Sequence, residues 1–258
     1  MDTVTSQIDR VQALLAHLDR DLTGFKVFLK HAIPDFFLLH LGIDVLEQGG
    51  AVVTIARGHA PRAAVANARS AFEASLDMLV LLAEPTLYDE MAAFARVCEL
   101  LSWEDLRRKR VALHPTLGLE APQVSATPES TVEEEAKKWE EDSPGVGTMY
   151  RRVLAQARAD MRWKHHWSGK STFVERAQVI ANKWNTEPGF VETAGILWGL
   201  QSIHTHPGAR TGMRAVKNEG GQASFRPKPT DAMFPCAAVA IACEHAIKAL
   251  KRRTDLIR

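Results

Sequence analysis

Two charged side chains on one predicted helix have the residue types and spacing that acid–base or phosphate chemistry requires. Arg69 and Glu73 lie one helical turn apart in a stretch, 65–80, that is otherwise mostly apolar. At 100° per residue, the pair falls within the most apolar arc of that helix. Charges in such a place are costly unless they pair and find further hydrogen bonds. The sequence therefore predicts either a buried structural ion pair or part of a functional site.

Ser202 and His206 form the second half of the candidate site. They lie at i and i+4 of a later predicted helix, on a seam of small residues that lets another helix approach closely. Pro207 ends that helix, so the imidazole lies at a helix C-terminus, where its protonated form is favoured. We predict that Arg69, Glu73, Ser202 and His206 meet between helices as catalytic residues. The alternative is that the same four residues form a buried structural network.

A turn between two predicted helices carries the candidate ligand-binding residues. His165 comes two residues after Trp163, and Trp167 and Lys170 come shortly after it. Aromatic rings next to cationic side chains can stack a nucleic-acid base. We therefore predict that Trp167, Lys170 and His165 bind ligand. The alternative for Trp167 is that it closes the end of a helical bundle.

The sequence predicts no metal site and no cofactor. His204 and His206 are two residues apart on a helix, so their side chains point about 200° apart and cannot hold one ion. We find no Walker loop, dinucleotide fingerprint or H-E-x-x-H motif in the sequence. The paired E-x-x-H motifs of di-iron bundles are not found in suitable places either.

The elements that must position these residues are helices, because apolar residues recur with helical spacing and strand signals are nearly absent. We predict an all-α, multi-helix bundle, mostly antiparallel, forming one domain over residues 1–258. Gly49 and Gly50 are interpreted as a helix stop, and Pro34 as a bend or interruption. Residues 115–147 are predicted to be a loop and helix insertion, and residues 211–229 a mobile loop. The predicted helices cover approximately 3–22, 25–48, 58–85, 87–113, 131–142, 149–164, 173–185, 190–206 and 230–253.

Composition limits the classes of function. The 258 residues are 46% hydrophobic and carry a net charge of +1, so nucleic-acid binding would need a local basic patch. Basic residues do cluster at 107–110, at 210–228 and at 248–253, which indicates either charges that complement helix ends or a nucleic-acid surface. We see no signal peptide and no apolar run of about 20 residues, so we expect a cytoplasmic protein without a membrane span. Cys236 and Cys243 are interpreted as small buried hydrophobes.

Three motifs in order resemble a bacterial family of all-helical domains of unknown function. They are R-S-A-F-E at 69–73, W-S-G-K-S at 167–171 and S-I-H-T-H-P at 202–207. The resemblance covers approximately residues 58–207, and the chain departs from it by the insertion at 115–147 and a basic late loop. It implies a helical bundle and does not imply an established reaction.

More distantly, the chain resembles the HEPN class of helical nucleotide-binding domains, some of which cleave RNA. Their mark is an R-x4–6-H motif, in which arginine stabilises phosphate charge and histidine acts as acid or base. With 10 histidines and 32 basic residues, matches by chance are expected. The matches in this chain are Arg10 to His17, Arg108 to His114 and Arg158 to His165.

Two classes of function follow, and the sequence leaves open whether the protein is an enzyme. In the first, it is a HEPN-like ribonuclease or a defence or stress effector, with His206 as proton shuttle, Arg69 on the phosphate and Glu73 orienting the arginine. In the second, it is a non-enzymatic helical binding or regulatory protein, and the polar cluster is structural. The expected partner is RNA or a protein, and a homodimer is also open, since helical bundles often pair through exposed apolar faces.

Overall fold

The computed structural model is an all-α helical bundle, which confirms the predicted fold class. It describes residues 4–27, 32–58, 63–98, 134, 137, 138, 141, 144–159, 172–184, 186, 189–205, 216–219, 222–225 and 232–257. The chain divides into two compact units, one formed by residues 1–85 with 172–258 and the other by residues 86–171. The helices are α1 (Val4–Gly24), α2 (Ala32–Arg57), α3 (Ala64–Ala83), α4 (residues 87–98), α5 (Pro144–Ala159), α6 (Phe173–Trp184), α7 (Phe190–Thr205) and α8 (Met233–Ile257).

The first unit is built around α3. Helices α2 and α8 pack against it and against each other, α1 packs on α2 and α8, and α6 and α7 pack on α3 and on each other. From Ala74 to Ala83 every residue of α3 is buried, as expected for a helix that is apolar on all sides. Cys236 and Cys243 are fully buried in α8, which confirms their interpretation as small hydrophobes. Helix α3 is therefore the element against which α2, α6, α7 and α8 pack directly.

Helix α2 is continuous through the two glycines, so the predicted stop at Gly49 and Gly50 is wrong. A Cβ on Gly49 would lie 2.7 Å from Leu15 Cδ2 and 3.0 Å from Val239 Cγ1. The glycine therefore allows α1 and α8 to approach α2 closely. The helix propensities of neighbouring residues do not reveal such a contact between helices. Pro34 falls in the first turn of α2, where its missing N–H leaves no helical hydrogen bond unmade.

These two glycines give a matched pair of substitutions. Gly49→Ala is expected to destabilise the protein by about 1 kcal/mol, because overpacking between two helices outweighs the gain in helix propensity. Gly50→Ala has open space around its new Cβ and is expected to stabilise the protein by about 0.5–1 kcal/mol. Urea denaturation followed by circular dichroism measures both. Equal effects of the two substitutions would contradict the close approach at Gly49.

The second unit has its own small core between α4 and α5, formed by Ala93, Val97, Tyr150, Val153 and Leu154. On its surface, Arg152 Nη2 donates to Glu90 Oε1 at 2.9 Å. Helix α5 begins at Pro144, five residues before the predicted start of that helix. Of the predicted insertion at 115–147, only residues 134, 137, 138, 141 and 144–147 are described.

A two-stranded antiparallel hairpin lies in the range that the sequence predicted to be a mobile loop. Strand β1 (Val216–Glu219) pairs with β2 (Gln222–Phe225), with Val216 opposite Phe225 and Glu219 opposite Gln222. The backbone hydrogen bonds of this short ladder give order to a segment that has little apolar surface to bury. Each strand is only four residues long. This is too short for a recognisable alternation of apolar and polar residues, which explains why the sequence showed no strand signal.

Two described helices are long and apolar enough to cross a membrane by length and composition alone, at residues Pro34–Arg57 and Met233–Leu256. The sequence analysis found no apolar run long enough for a membrane span, so it did not identify these two helices. In the most apolar 18-residue stretch of each helix, 39% of the first and 61% of the second is buried inside the structure. A buried core helix passes the same test, so these two helices are weak evidence for a membrane span.

Candidate functional site

Helix α6 begins with a capping box, which fixes the position of the arginine that follows it. The backbone N–H of Glu175 donates to Thr172 Oγ1 at 3.1 Å, and the backbone N–H of Thr172 donates to Glu175 Oε2 at 2.9 Å. This reciprocal pair satisfies two N–H groups that a helix start leaves without partners. Arg176 comes next in the chain, on the apolar side of α6 that also carries Phe173 and Ile180.

The Arg176 cluster, formed by Arg176, Asp77 and Glu73, connects α6 with α3. The Arg176 side chain is 0% exposed, and its Nη1 donates to Asp77 Oδ1 at 2.6 Å. Its Nη2 donates to Glu73 Oε1 at 2.8 Å, and the guanidinium lies 5.1 Å from the centroid of the Phe173 ring. Burial opposes the charge on Arg176, but the two carboxylates outweigh that effect and raise the pKa of the guanidinium above its usual value.

The structure gives Glu73 a partner that the sequence analysis did not propose. Arg69 and Glu73 were expected inside the most buried arc of α3. Arg69 is instead only partly buried, and the Glu73 side chain is 38% exposed. Both residues lie on the less buried side of the first half of α3, together with the exposed Ser70. The carboxylate that is deeply buried is Asp77, one turn further along the helix.

The side chains of the other predicted site residues lie outside the part of the chain that the structure describes. Ser202 lies in α7, and its side chain is outside the described residues. His206, Trp167, Lys170 and His165 also lie outside them. The four-residue catalytic pocket and the ligand-binding turn therefore stay predictions.

A pocket of about 590 Å³ opens between α3, α6, α7 and α8, all of them in the first unit. Its aromatic lining consists of Phe72, Trp184, Phe190 and His245. The size falls in the range of roughly 300–1,000 Å³ that is usual for small-molecule sites. The sequence analysis predicted none of these four residues as part of a site.

His245 is a titratable residue of the pocket lining. Its ring centroid lies 5.9 Å from that of Phe72 and 5.5 Å from that of Phe190. Burial among these rings, together with the positive charge of Lys248, lowers the pKa of His245 to about 4. At neutral pH the imidazole is therefore uncharged, with one nitrogen able to donate a hydrogen bond and the other able to accept one.

Ser75 lies beside this histidine, but the arrangement is not that of an activated nucleophile. Ser75 Oγ and His245 Nδ1 are 3.5 Å apart, which is long for a hydrogen bond. The hydroxyl donates instead to the backbone carbonyl of Phe72 at 2.8 Å, and Ser75 is 0% exposed. A nucleophilic serine needs its proton directed at the base and its oxygen open to substrate.

Positive charge lines the edge of the pocket. Lys248 and Arg252 lie one turn apart on α8, and the Arg252 guanidinium lies 4.2 Å from the centroid of the Trp184 ring. The acidic residue on the same face, Glu244, accepts a hydrogen bond from Arg10 Nη2 at 2.9 Å. The pocket therefore combines aromatic walls with two cationic side chains.

Sequence patterns contained part of the signal for these residues. Arg176 interrupts the apolar face of α6, as Asp77 does on α3, and both are as conspicuous as the pair chosen from the sequence. His245 is a polar residue in the apolar stretch of α8, but its role depends on rings from α3 and α7, which no local pattern brings together.

Comparison with known proteins gives this chain no relative. No protein-family model matches it, and neither the curated proteins nor the solved structures include a significant match. Among the residues that the structure describes, no group of three or more His, Cys, Asp or Glu side chains could hold a metal ion.

Proposed function

We propose that this chain is a non-enzymatic helical binding protein. In this proposal the Arg176 cluster is structural, and the pocket between α3, α6, α7 and α8 holds a small-molecule ligand. The observation that carries the proposal is the complete burial of the Arg176 side chain, with both carboxylates engaged by its guanidinium.

Burial separates a structural cluster from a catalytic one. An arginine that stabilises phosphate charge must reach the substrate, as must an acid or base. Arg176 is 0% exposed and gives its two terminal nitrogens to Asp77 and Glu73. The ribonuclease hypothesis has Glu73 orienting Arg69, whereas the hydrogen bond described for Glu73 comes from Arg176, whose side chain is buried. The ion cluster therefore supports the packing of α6 on α3.

The pocket supplies a place for a ligand. Mostly apolar walls with a few polar groups are typical of small-molecule sites, and the lining here has aromatic rings, one neutral histidine, the carboxylate of Glu244 and two cations. The Ser75 hydroxyl beside His245 is turned to a backbone carbonyl. These features favour binding over bond cleavage in this pocket.

A screen by thermal unfolding tests the proposal. Small molecules that occupy the pocket are expected to raise the melting temperature of the parent protein by several degrees, since about 2.7 kcal/mol of stabilisation is expected at a ligand concentration of roughly 100 times Kd. Thr193 is exposed and lines the pocket, so Thr193→Trp is expected to fill it and abolish the shift. Glu192→Trp, at the exposed neighbouring position outside the lining, serves as the matched control and is expected to keep the shift.

An RNA cleavage assay on the same proteins provides the second readout. Cleavage by the parent protein that is lost in His206→Ala, with an unchanged melting temperature, would overturn this proposal in favour of the ribonuclease hypothesis. Ligands that shift the parent and Thr193→Trp equally would show that the pocket is not where they bind, which would also contradict it.

A further inference from the structure

We propose that the ligand of this pocket is an aromatic anion, that is, a planar ring system carrying a carboxylate or a phosphate group. This inference rests on the proposed function and names the class of molecule that the pocket takes. Two features of the lining carry it, the arrangement of the rings and the charge at the edge.

The rings favour a planar aromatic group. Phe72, Phe190 and Trp184 come from three of the helices around the pocket. The His245 ring is tilted by 44° to Phe72 and by 55° to Phe190, so the walls present both faces and edges. Aromatic rings attract one another in tilted or offset arrangements at centroid distances of about 4.5–7 Å. A flat aromatic ligand can therefore pack against these rings in the same tilted or offset arrangement.

The charges at the edge favour an anion. The negative charge of Glu244 is balanced by Arg10. Across the described ranges, Lys248 and Arg252 form no ion pair with a carboxylate, and the contact found for Arg252 is with the face of Trp184. Two cationic side chains one turn apart thus lie at the edge of a partly apolar pocket, where an ion pair is less weakened by water than on an open surface.

The two cations suit a planar or tetrahedral oxyanion. Packing on the Trp184 ring holds the Arg252 guanidinium at the pocket edge, and a guanidinium binds carboxylate or phosphate through two parallel hydrogen bonds. Lys248 adds a flexible point charge. His245, uncharged at neutral pH, offers a hydrogen-bond donor or acceptor between the rings without adding charge. Recognition of the anion therefore falls to Lys248 and Arg252.

A matched series of probes tests the inference by isothermal titration calorimetry. The probes are 2-naphthoate, 2-naphthyl phosphate, the neutral 2-naphthamide and inorganic phosphate. We expect either naphthyl anion to bind the parent protein roughly tenfold or more tightly than the amide, because hydrogen bonds to charged groups contribute more than neutral ones. We expect inorganic phosphate to bind far more weakly than 2-naphthyl phosphate. If the protein binds one of the two naphthyl anions more tightly than the other, that preference identifies the anionic group of the ligand. Either preference supports the inference.

Substitutions locate the effect in the pocket. Lys248→Met is expected to weaken the naphthyl anions roughly tenfold while leaving the amide unchanged. Lys251→Met is the control, because Lys251 is exposed in the same basic segment of α8 but does not line this pocket. An equal loss in both variants would indicate a general effect of charge and would overturn the inference.

The remaining outcomes separate this inference from the proposed function. If the amide binds the parent as tightly as the anions and Thr193→Trp abolishes its binding, the anion is wrong and the pocket is still a ligand site. If inorganic phosphate binds as tightly as 2-naphthyl phosphate, the aromatic part is wrong. If no naphthyl probe binds, the aromatic anion is overturned, while the thermal screen still decides whether the pocket takes a ligand of another class.

Discussion

Arg176→Met is expected to lower the free energy of unfolding by about 3–5 kcal/mol, the usual cost of removing one partner from a buried ion pair. The methionine fills most of the arginine's space, so the loss comes mainly from charge. Asp77 is nearly as buried as Arg176, and the substitution takes the guanidinium charge away from its carboxylate inside the core. Urea denaturation monitored by circular dichroism measures the change.

A second substitution separates the charge effect from simple damage to the core. Arg176→Met combined with Asp77→Leu replaces the buried ions by apolar groups, which is often neutral relative to the intact pair. We expect the double variant to recover at least half of the loss, with Glu73 remaining partly hydrated. Arg10→Met, which removes a surface ion pair of similar length, is expected to cost less than about 1 kcal/mol. A single Arg176→Met variant that loses as little as Arg10→Met would contradict a structural role for the cluster.

The sequence predicted the helices well where local signals decide their limits. Helix α1 was predicted within two residues at each end, because its apolar residues recur without interruption. Helix α6 begins where Thr172 and Glu175 form a capping box, and that signal is local. Gly49 was misread because its role depends on two other helices: the same residue that would weaken an isolated helix allows a close packing contact here.

The candidate site was only partly predictable. The reasoning that charges on an apolar helix face must find partners drew attention to Glu73, which lies on a less buried face than expected and accepts a hydrogen bond from Arg176. It did not give the partner, because Arg176 lies 103 residues further along the chain and helical periodicity carries no information about which helices meet. The pocket was missed for the same reason: none of its rings stands out in the pattern of its own helix, and only the packing of α3, α6, α7 and α8 brings them together.

Arg253→Met is the second substitution expected to have a large effect, about 2–4 kcal/mol of lost stability. Arg253 Nε donates to Asp35 Oδ1 at 2.7 Å, and Asp35 is 0% exposed. Loss of the guanidinium removes a counter-charge from a buried carboxylate. The cost is expected to be smaller than at Arg176, because Asp35 lies in the first turn of α2, where the helix dipole favours a negative charge. Urea denaturation again provides the measurement.

Two companion variants show whether the charge of Asp35 is the cause. Lys251→Met removes a neighbouring positive charge that is exposed, and it is expected to change stability by no more than about 0.5 kcal/mol. Asp35→Asn in the Arg253→Met background removes the buried charge and is expected to restore part of the stability, since a neutral amide is less costly to bury than a carboxylate. If the added Asn causes a further loss instead, then the ionised carboxylate is stabilised chiefly by the start of α2, and Arg253 contributes by packing its alkyl chain.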